Sequence, residues 1–381
     1  MKVSFVTTSH KPEDDRIYFH QAVSLADNGH KAEIISTKSD VVKKEGNIYF
    51  NCFNDTDYSK KDKVKTIVRI LKDSNPDVII CSEPLAVHSA NKFRKEANTN
   101  CKIIYDITEW YPSKKNLSGY SLIKKSLMFP SLLAFNMTMS AKCDGFIFGE
   151  WYKSKPYKFI LPRKKHIYIS YYPDLKYLNF EEPGITGNQL KLMYSGKLTQ
   201  EKGYKNFLDV IEELTRARPE LQIHTKVIGW YANSKEQEIF EKQISETAKN
   251  VKFTFYPVLP FEDYIHEIRD TDIFLDLRSN DTENSHCLPI KLFYFAALKR
   301  PVIYSDLKAI RKEVEINKFG FLVDPSDIKE TTRHILNYLD KKEMYLEHCN
   351  NARSLVEKKY NWNIIKNDFM QFLEQIKDDI K

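Results

Sequence analysis

A chain of 381 residues with 42% hydrophobic content and a mean hydropathy of -0.51 has material for two cores. It holds no apolar run near the ~20 residues that span a bilayer, which excludes an integral membrane protein. The net charge of +7 is modest for the length, and no nucleic-acid-binding motif accompanies it, so nucleic acid is not an expected partner.

The six cysteines, Cys52, Cys81, Cys101, Cys143, Cys287 and Cys349, show no C-x-x-C spacing, and several sit in apolar runs. Reduced, buried thiols in a cytoplasmic protein fit this better than disulfides or zinc. The opening run from Met1 to His10 turns polar too soon for a signal peptide and reads as a first strand.

Apolar runs at 3–7, 32–36, 77–82, 102–107 and 145–148 predict strands, with helices at 17–28, 63–74 and 85–97 between them. Continuous apolar strands separated by helices imply a parallel, doubly wound sheet. A polar, strand-poor segment at 175–189, with Pro183, Gly184 and Gly187, reads as a linker. The pattern then restarts with strands at 190–195, 222–228, 251–256, 272–277, 302–304 and 320–323. The expected organisation is a Rossmann-like domain at 1–174, the linker, a second such domain at 190–358, and a terminal helix at 359–381 crossing back to the first domain. A cleft between the halves, closing about a hinge near 172–187, is expected with it.

Two segments of the second half suit phosphate. Gly196-Lys-Leu-Thr-Gln-Glu-Lys-Gly203 follows a strand and opens a helix, so Lys197 and Lys202 can converge on a diphosphate. The loop from Asn284 enters a short helix at Pro289, with Lys291 one turn inside, and its N–H groups and dipole favour an anion. It follows the strand at 272–277, the place where open α/β sheets bind ligands. In the first half His10, Asp15, Arg16, Asp106, Glu109 and Tyr111 fall at predicted strand ends facing the cleft. A purely structural alternative makes Asp15-Arg16 a helix-start ion pair and Asp106 a cap.

The ordered set of motifs resembles the retaining glycosyltransferases of glycosyltransferase family 4, which have the two-domain GT-B fold. The marks are T-S-H-K-P-E-D-D-R-I from Thr8, D-I-T-E-W-Y-P from Asp106, Y-Y-P-D-L from Tyr171, Y-S-G-K-L-T-Q-E-K-G from Tyr194, C-L-P-I-K-L-F from Cys287, P-V-I from Pro301 and the terminal Y-N-W. The resemblance covers nearly the whole chain. It implies a nucleotide-sugar donor, UDP- or GDP-linked, held mainly by the second half, and a glycan or lipid-linked acceptor held mainly by the first. His10, Asp15, Arg16, Asp106, Glu109 and Tyr111 are then the expected acceptor-side residues. It places the family's diphosphate-neutralising pair on Lys197, where arginine is more usual, and Lys202. Backbone around Val258 and Leu259 is implied to grip the base. No metal or other cofactor is expected.

The family's two glutamates, eight positions apart, fall on His286 and Tyr294, neither a carboxylate, so a bidentate ribose clamp is lost. Thr108 stands where the family often has histidine. These departures keep two other readings open: a GT-B enzyme of different chemistry such as a sugar-nucleotide epimerase, and a non-catalytic relative that binds glycan or a partner enzyme.

Between Trp110 and Pro173 the only acids are Asp144 and Glu150, against eleven basic residues from Lys114 to Lys165. Leu127, Phe129 and Leu132 lie in the same stretch, which is either a core helix with a solvated face or a segment that docks on an anionic membrane. The combined expectation is a transferase of surface polysaccharide synthesis, cytoplasmic and peripheral on the inner face of the cell membrane.

Overall fold

The computed structural model describes residues 1–109, 111–113, 117, 119–247 and 250–379. Its strands build two Rossmann-like sheets, one in each of two units, as the alternation of strands and helices predicts. Unit one comprises Met1–Tyr171 with Asn363–Lys381, and unit two comprises Tyr172–Trp362.

The first unit has eight strands: β1 (Lys2–Thr7), β2 (Lys31–Ser36), β3 (Val42–Glu45), β4 (Ile48–Asn51), β5 (Val78–Cys81), β6 (Lys102–Ile107), β7 (Gly145–Phe148) and β8 (Lys165–Tyr168). Their order is β3-β4-β2-β1-β5-β6-β7-β8, parallel except for the antiparallel pair β3–β4. Sequence reading misses β3, β4 and β8. The edge strand β3 is fully exposed with the sequence V-K-K-E, so it carries no apolar alternation to read. The helix expected at 17–28 begins as a π-helical turn, Asp15–Ala22, capped by Asp14, and continues as Val23–Asp27.

The second unit has six parallel strands: β9 (Gln189–Leu198), β10 (Gln222–Tyr231), β11 (Val251–Tyr256), β12 (Ile273–Asp276), β13 (Val302–Ser305) and β14 (Gly320–Val323). Their order is β11-β10-β9-β12-β13-β14. In each sheet the strand order reverses once, between β1 and β5 in unit one and between β9 and β12 in unit two. Such a reversal leaves a crevice at the strands' carboxyl ends, because the flanking connections leave on opposite sides.

The segment at 175–189 is not a free linker. Leu178 and Ile185 are buried in the two cores of the second unit. Its backbone is held by Arg353 Nη1 on the Leu178 carbonyl at 3.2 Å and Arg300 Nη2 on the Glu181 carbonyl at 3.2 Å. Lys299 adds an ion pair to Glu182 at 2.9 Å. The chain passes between units at Tyr171–Tyr172 and returns at Trp362–Asn363. These crossings are tied together where the Trp362 N–H donates to the Pro173 carbonyl at 2.8 Å.

Arg16 and Asp106, expected to face the ligand, are instead buried against each other. The guanidinium holds both carboxylate oxygens at 2.9 Å, its Nη1 donates to the Ile169 carbonyl at 2.8 Å, and Gln21 adds a bond to Asp106 at 3.0 Å. Two charges this deep are tolerated because each satisfies the other's hydrogen bonds. Both neighbouring charges and hydrogen bonding hold the Arg16 proton against the opposing pull of burial. The pair joins the π-helical turn to β6. Asp106→Ala leaves that guanidinium uncompensated and is expected to destabilise the first unit by about 3–5 kcal/mol. Urea unfolding followed by circular dichroism measures this, and a loss below about 1 kcal/mol contradicts the assignment.

Candidate active site

Each unit has a cavity at its strand-order reversal. In the second unit a cavity of about 300 Å³ is lined by Tyr194, Ser195, Gly196, Lys197, Lys202, Trp230, Leu275, Asp276, Arg278 and Lys291. The expected residues Gly196, Lys197, Lys202 and Lys291 therefore meet. Arg278, Asp276 and Trp230 join them without having been nominated.

Close backbone approach shapes this crevice. Gly196 has φ 147°, and Gly229, its partner on β10, sits so near that a Cβ there would lie 1.9 Å from the Gly196 carbonyl oxygen. Gly203 has φ 85° and leaves no room for a Cβ against the Leu277 carbonyl, 2.3 Å away. Only glycine satisfies both the left-handed conformation and the contact at this second position.

That contact brings the loop after β9 onto the loop after β12. Ser279 N donates to the Glu201 carbonyl at 2.9 Å, and Asn206 Nδ2 to the Leu277 carbonyl at 3.0 Å. The buried Tyr194 hydroxyl lies 2.8 Å from the Lys197 carbonyl and 3.2 Å from that of Lys202, so one group steadies both lysines.

Each of the other cations is held by a neighbour. Lys202 Nζ donates to Asn284 Oδ1 at 2.7 Å, while the Asn284 amide nitrogen is fixed by Ser279 O at 3.0 Å and Asp281 Oδ2 at 3.1 Å. Lys291 Nζ donates to the Ser195 carbonyl at 2.7 Å. Arg278 Nε donates to Asp276 Oδ1 at 2.7 Å, its Nη2 meets the other oxygen, and Tyr304 donates to that oxygen at 2.7 Å. Four cations and one carboxylate thus face a single small cavity, a strong preference for an anion of two or more charges.

The remaining donor-side residues lie elsewhere in the unit. Pro289 is the N-cap of the helix Ile290–Ala297. His286 closes the short helix Thr282–Ser285, its Nδ1 bonded to the Thr282 carbonyl at 2.9 Å. Val258 and Leu259 follow the edge strand β11, outside the lining of the cavity. Tyr294 is only 2% exposed and packs edge-on against Phe261 at 5.8 Å. It is a core residue and does not stand in for a ribose-binding carboxylate, because its position falls on the inward face of an almost wholly apolar helix.

In the first unit a cavity of about 760 Å³ is lined by residues that follow β1, β5 and β6, among them His10, Glu83, Thr108, Glu109 and Tyr111. Asp15 lies instead in the first turn of the π-helix, accepting from its neighbour Arg16 N at 2.8 Å. Lys60, Lys61 and Lys92 bring positive charge to the same cavity, and Met128, Leu132 and Phe135 form part of an apolar wall.

That wall belongs to the helix Leu122–Ala141. Leu132, expected to point outward, faces the cavity, whereas Leu122, Ile123 and Leu127 are 81%, 77% and 69% exposed. The basic stretch is also thinner at the surface than its composition suggests. Lys153 is buried on Glu150 at 2.5 Å, and Lys165 pairs with Asp379 at 2.7 Å. Lys114 and Lys115 lie outside the described residues.

Among described residues no helix is long and apolar enough to cross a membrane. None of the six cysteines is in a disulfide, and Cys287 is half-buried while the others are buried.

Residues 177–355, nearly the whole of the second unit, match the family described as glycosyl transferases group 1. No curated protein matches the chain in sequence. Sucrose-phosphate synthase from Thermosynechococcus elongatus superposes with a TM-score of 0.76 at 14% identity, covering 98% of each chain. A glycosyltransferase from Rickettsia africae does so at 0.71 and 16% identity, covering 100% of this chain and 99% of its own. Anabaena Alr3699/HepE in complex with UDP-glucose reaches 0.72 at 14% identity, covering 98% of this chain and 100% of its own. At such identities the likeness establishes the fold, the GT-B pairing of two parallel-sheet α/β domains.

His10 supplies a pH signature. Burial pulls its pKa down, but the hydrogen bond and charge of Asp14 at 2.9 Å, with Glu83 and Glu109, outweigh that and raise it from 6.5 to about 9. A raised folded-state pKa stabilises fully below 6.5, and the contribution is lost as pH climbs through 9. The imidazole resonance of His10 is expected to titrate near 9 by NMR. His10→Gln should flatten the stability profile between pH 6.5 and 9, and a midpoint at or below 7 contradicts the ion pair.

Proposed function

We propose that this glycosyltransferase, a GT-B chain with a group 1 transferase domain, moves a sugar from a UDP- or GDP-linked donor bound by its second unit to a glycan acceptor bound by its first, with retention at the anomeric carbon. The observation that carries the reading is the convergence of Lys197, Lys202, Arg278 and Lys291 on one crevice. Breaking the glycosidic bond leaves a nucleoside diphosphate, and fixed positive charge where that charge develops lowers the barrier without reorganisation. Arg278 matters here because Lys197 is a point charge. A planar guanidinium already oriented by Asp276 offers the directional hydrogen bonding that an ammonium lacks. In a retaining transfer on one face of the sugar, the donor phosphate itself takes the acceptor proton, so the chain's part is to bind, orient and neutralise.

The acceptor side is read from the larger cavity. His10, held positive by Asp14, and Lys60 and Lys61 suit an acceptor bearing a phosphate or other anion, while Met128, Leu132 and Phe135 suit an apolar portion. A lipid-linked glycan combines both. The helix that walls this cavity turns Leu122, Ile123 and Leu127 outward beside Lys124, which supports a peripheral seat on an anionic membrane for surface polysaccharide synthesis in the cytoplasm. His286 and Tyr294, in place of two acids, favour a second reading, a non-catalytic relative that binds glycan or a partner enzyme.

Lys202→Ala is expected to cut transfer at least ~100-fold with the fold intact, in the range seen on removing one electrostatic stabiliser. Initial rates with each nucleotide sugar measure it, and near-normal turnover removes Lys202 from the site. Wild type that releases no nucleoside diphosphate from any nucleotide sugar supports the non-catalytic reading.

For the membrane seat, each exposed lysine near an anionic surface contributes ~1 kcal/mol, screened by salt. Lys124→Glu with Lys125→Glu should release the protein from anionic vesicles at low salt while donor affinity is unchanged. Co-sedimentation decides it: wild type that ignores such vesicles makes this helix a solvated face.

A further inference from the structure

The cationic crevice of the second unit has one wall that phosphate chemistry does not use. Trp230, in the second-last position of β10, lines the cavity together with Lys197, its direct partner across the β10–β9 ladder. Neighbouring strands lie about 4.8 Å apart, so the indole stands one strand spacing from the lysine backbone. Trp230 is 50% exposed, and among the described residues no other ring or cation stacks on it. A single exposed aromatic on a surface needs no explanation. An open indole inside a crevice otherwise walled by Lys197, Lys202, Arg278 and Lys291 is different, since a diphosphate gains little from an apolar ring.

The sheet order places the ring to one side of the phosphate crevice. Phosphates belong at the reversal between β9 and β12, and β10 lies on the far side of β9, between it and the edge strand β11. A nucleoside attached to a diphosphate at Lys197 and extending along the sheet toward β11 passes the end of β10. The group there must accept a flat π-face, and Trp230 is the half-exposed aromatic at that point of the lining.

We propose that Trp230 is a stacking platform for the nucleobase of the donor. The inference rests on the donor reading of the second unit and deepens it by naming where the base lies. Stacking tolerates different bases because every base has a π-face, so the indole contributes affinity and leaves the choice of base to other contacts.

The test uses the full chain with UDP, GDP and inorganic pyrophosphate as probes, read by calorimetry and tryptophan fluorescence. Wild-type fluorescence should be quenched by a nucleoside diphosphate and not by pyrophosphate. Trp230→Ala should weaken the nucleoside diphosphate about 10-fold while pyrophosphate binding stays within about 2-fold. Trp230→Phe keeps an aromatic face, so it should retain affinity within about 3-fold and lose the quench.

Undiminished nucleoside diphosphate affinity in Trp230→Ala overturns stacking and leaves the donor reading standing. An equal loss for pyrophosphate also overturns it, because the indole then only shapes the phosphate crevice. Wild type that binds pyrophosphate but neither nucleotide overturns both.

Discussion

Like charges held around one small crevice repel, and that repulsion is the constraint on which the second unit's site depends. Lys202 is steadied by the Asn284 amide, Lys291 by the Ser195 carbonyl and Arg278 by the Asp276 carboxylate. Three different elements supply the three counterweights, so the crevice holds its shape only while the loops after β9 and β12 stay locked together. Gly203 makes that locking sterically feasible, and the Tyr194 hydroxyl fixes the lysine backbones on top of it. An arriving diphosphate relieves the repulsion, which is why a site arranged this way binds its leaving group tightly once it forms.

The two crevices share a topology and differ in chemistry. Both sit where strand order reverses, β9 to β12 and β1 to β5, which follows from the winding of each sheet. The second unit's cavity is small and positive; the first unit's is larger, with His10, Glu83 and Glu109 beside lysines and an apolar helix wall. A nucleoside diphosphate is a compact, fixed anion, and a glycan acceptor is neither compact nor fixed. The chemistry of each wall matches the task proposed for it.

Much of the fold was legible because parallel strands are continuous apolar runs, and eleven of the fourteen described strands leave such a pattern. The V-K-K-E edge strand leaves none. Lys197 and Lys202 were legible because lysines beside glycine at a strand-to-helix junction are a local signal, and Lys291 because it stands just inside the helix that opens at Pro289. Arg278 and Trp230 were not, since each reaches the crevice from a different strand end and nothing near it in sequence marks the destination. The misreadings share one cause. Arg16, Asp106 and Lys153 are polar residues near strand ends whose partners lie far along the chain or a turn away, and burial as pairs is invisible until the fold brings partners together. Tyr294 and Leu132 show the reverse, where a family position or an apolar letter leaves open which face of a helix it occupies.

The central claim is that the crevice at the reversal between β9 and β12 is a diphosphate site whose affinity comes from its converging cations. Thermal unfolding with UDP and with GDP, in wild type and in a Lys197→Ala, Lys202→Ala double variant, tests it most directly. At about 100 times its dissociation constant the preferred nucleoside diphosphate should stabilise wild type by roughly 2.7 kcal/mol. The same concentration should leave the double variant unshifted. Equal stabilisation of both proteins, or no shift of wild type by either nucleotide, contradicts the account.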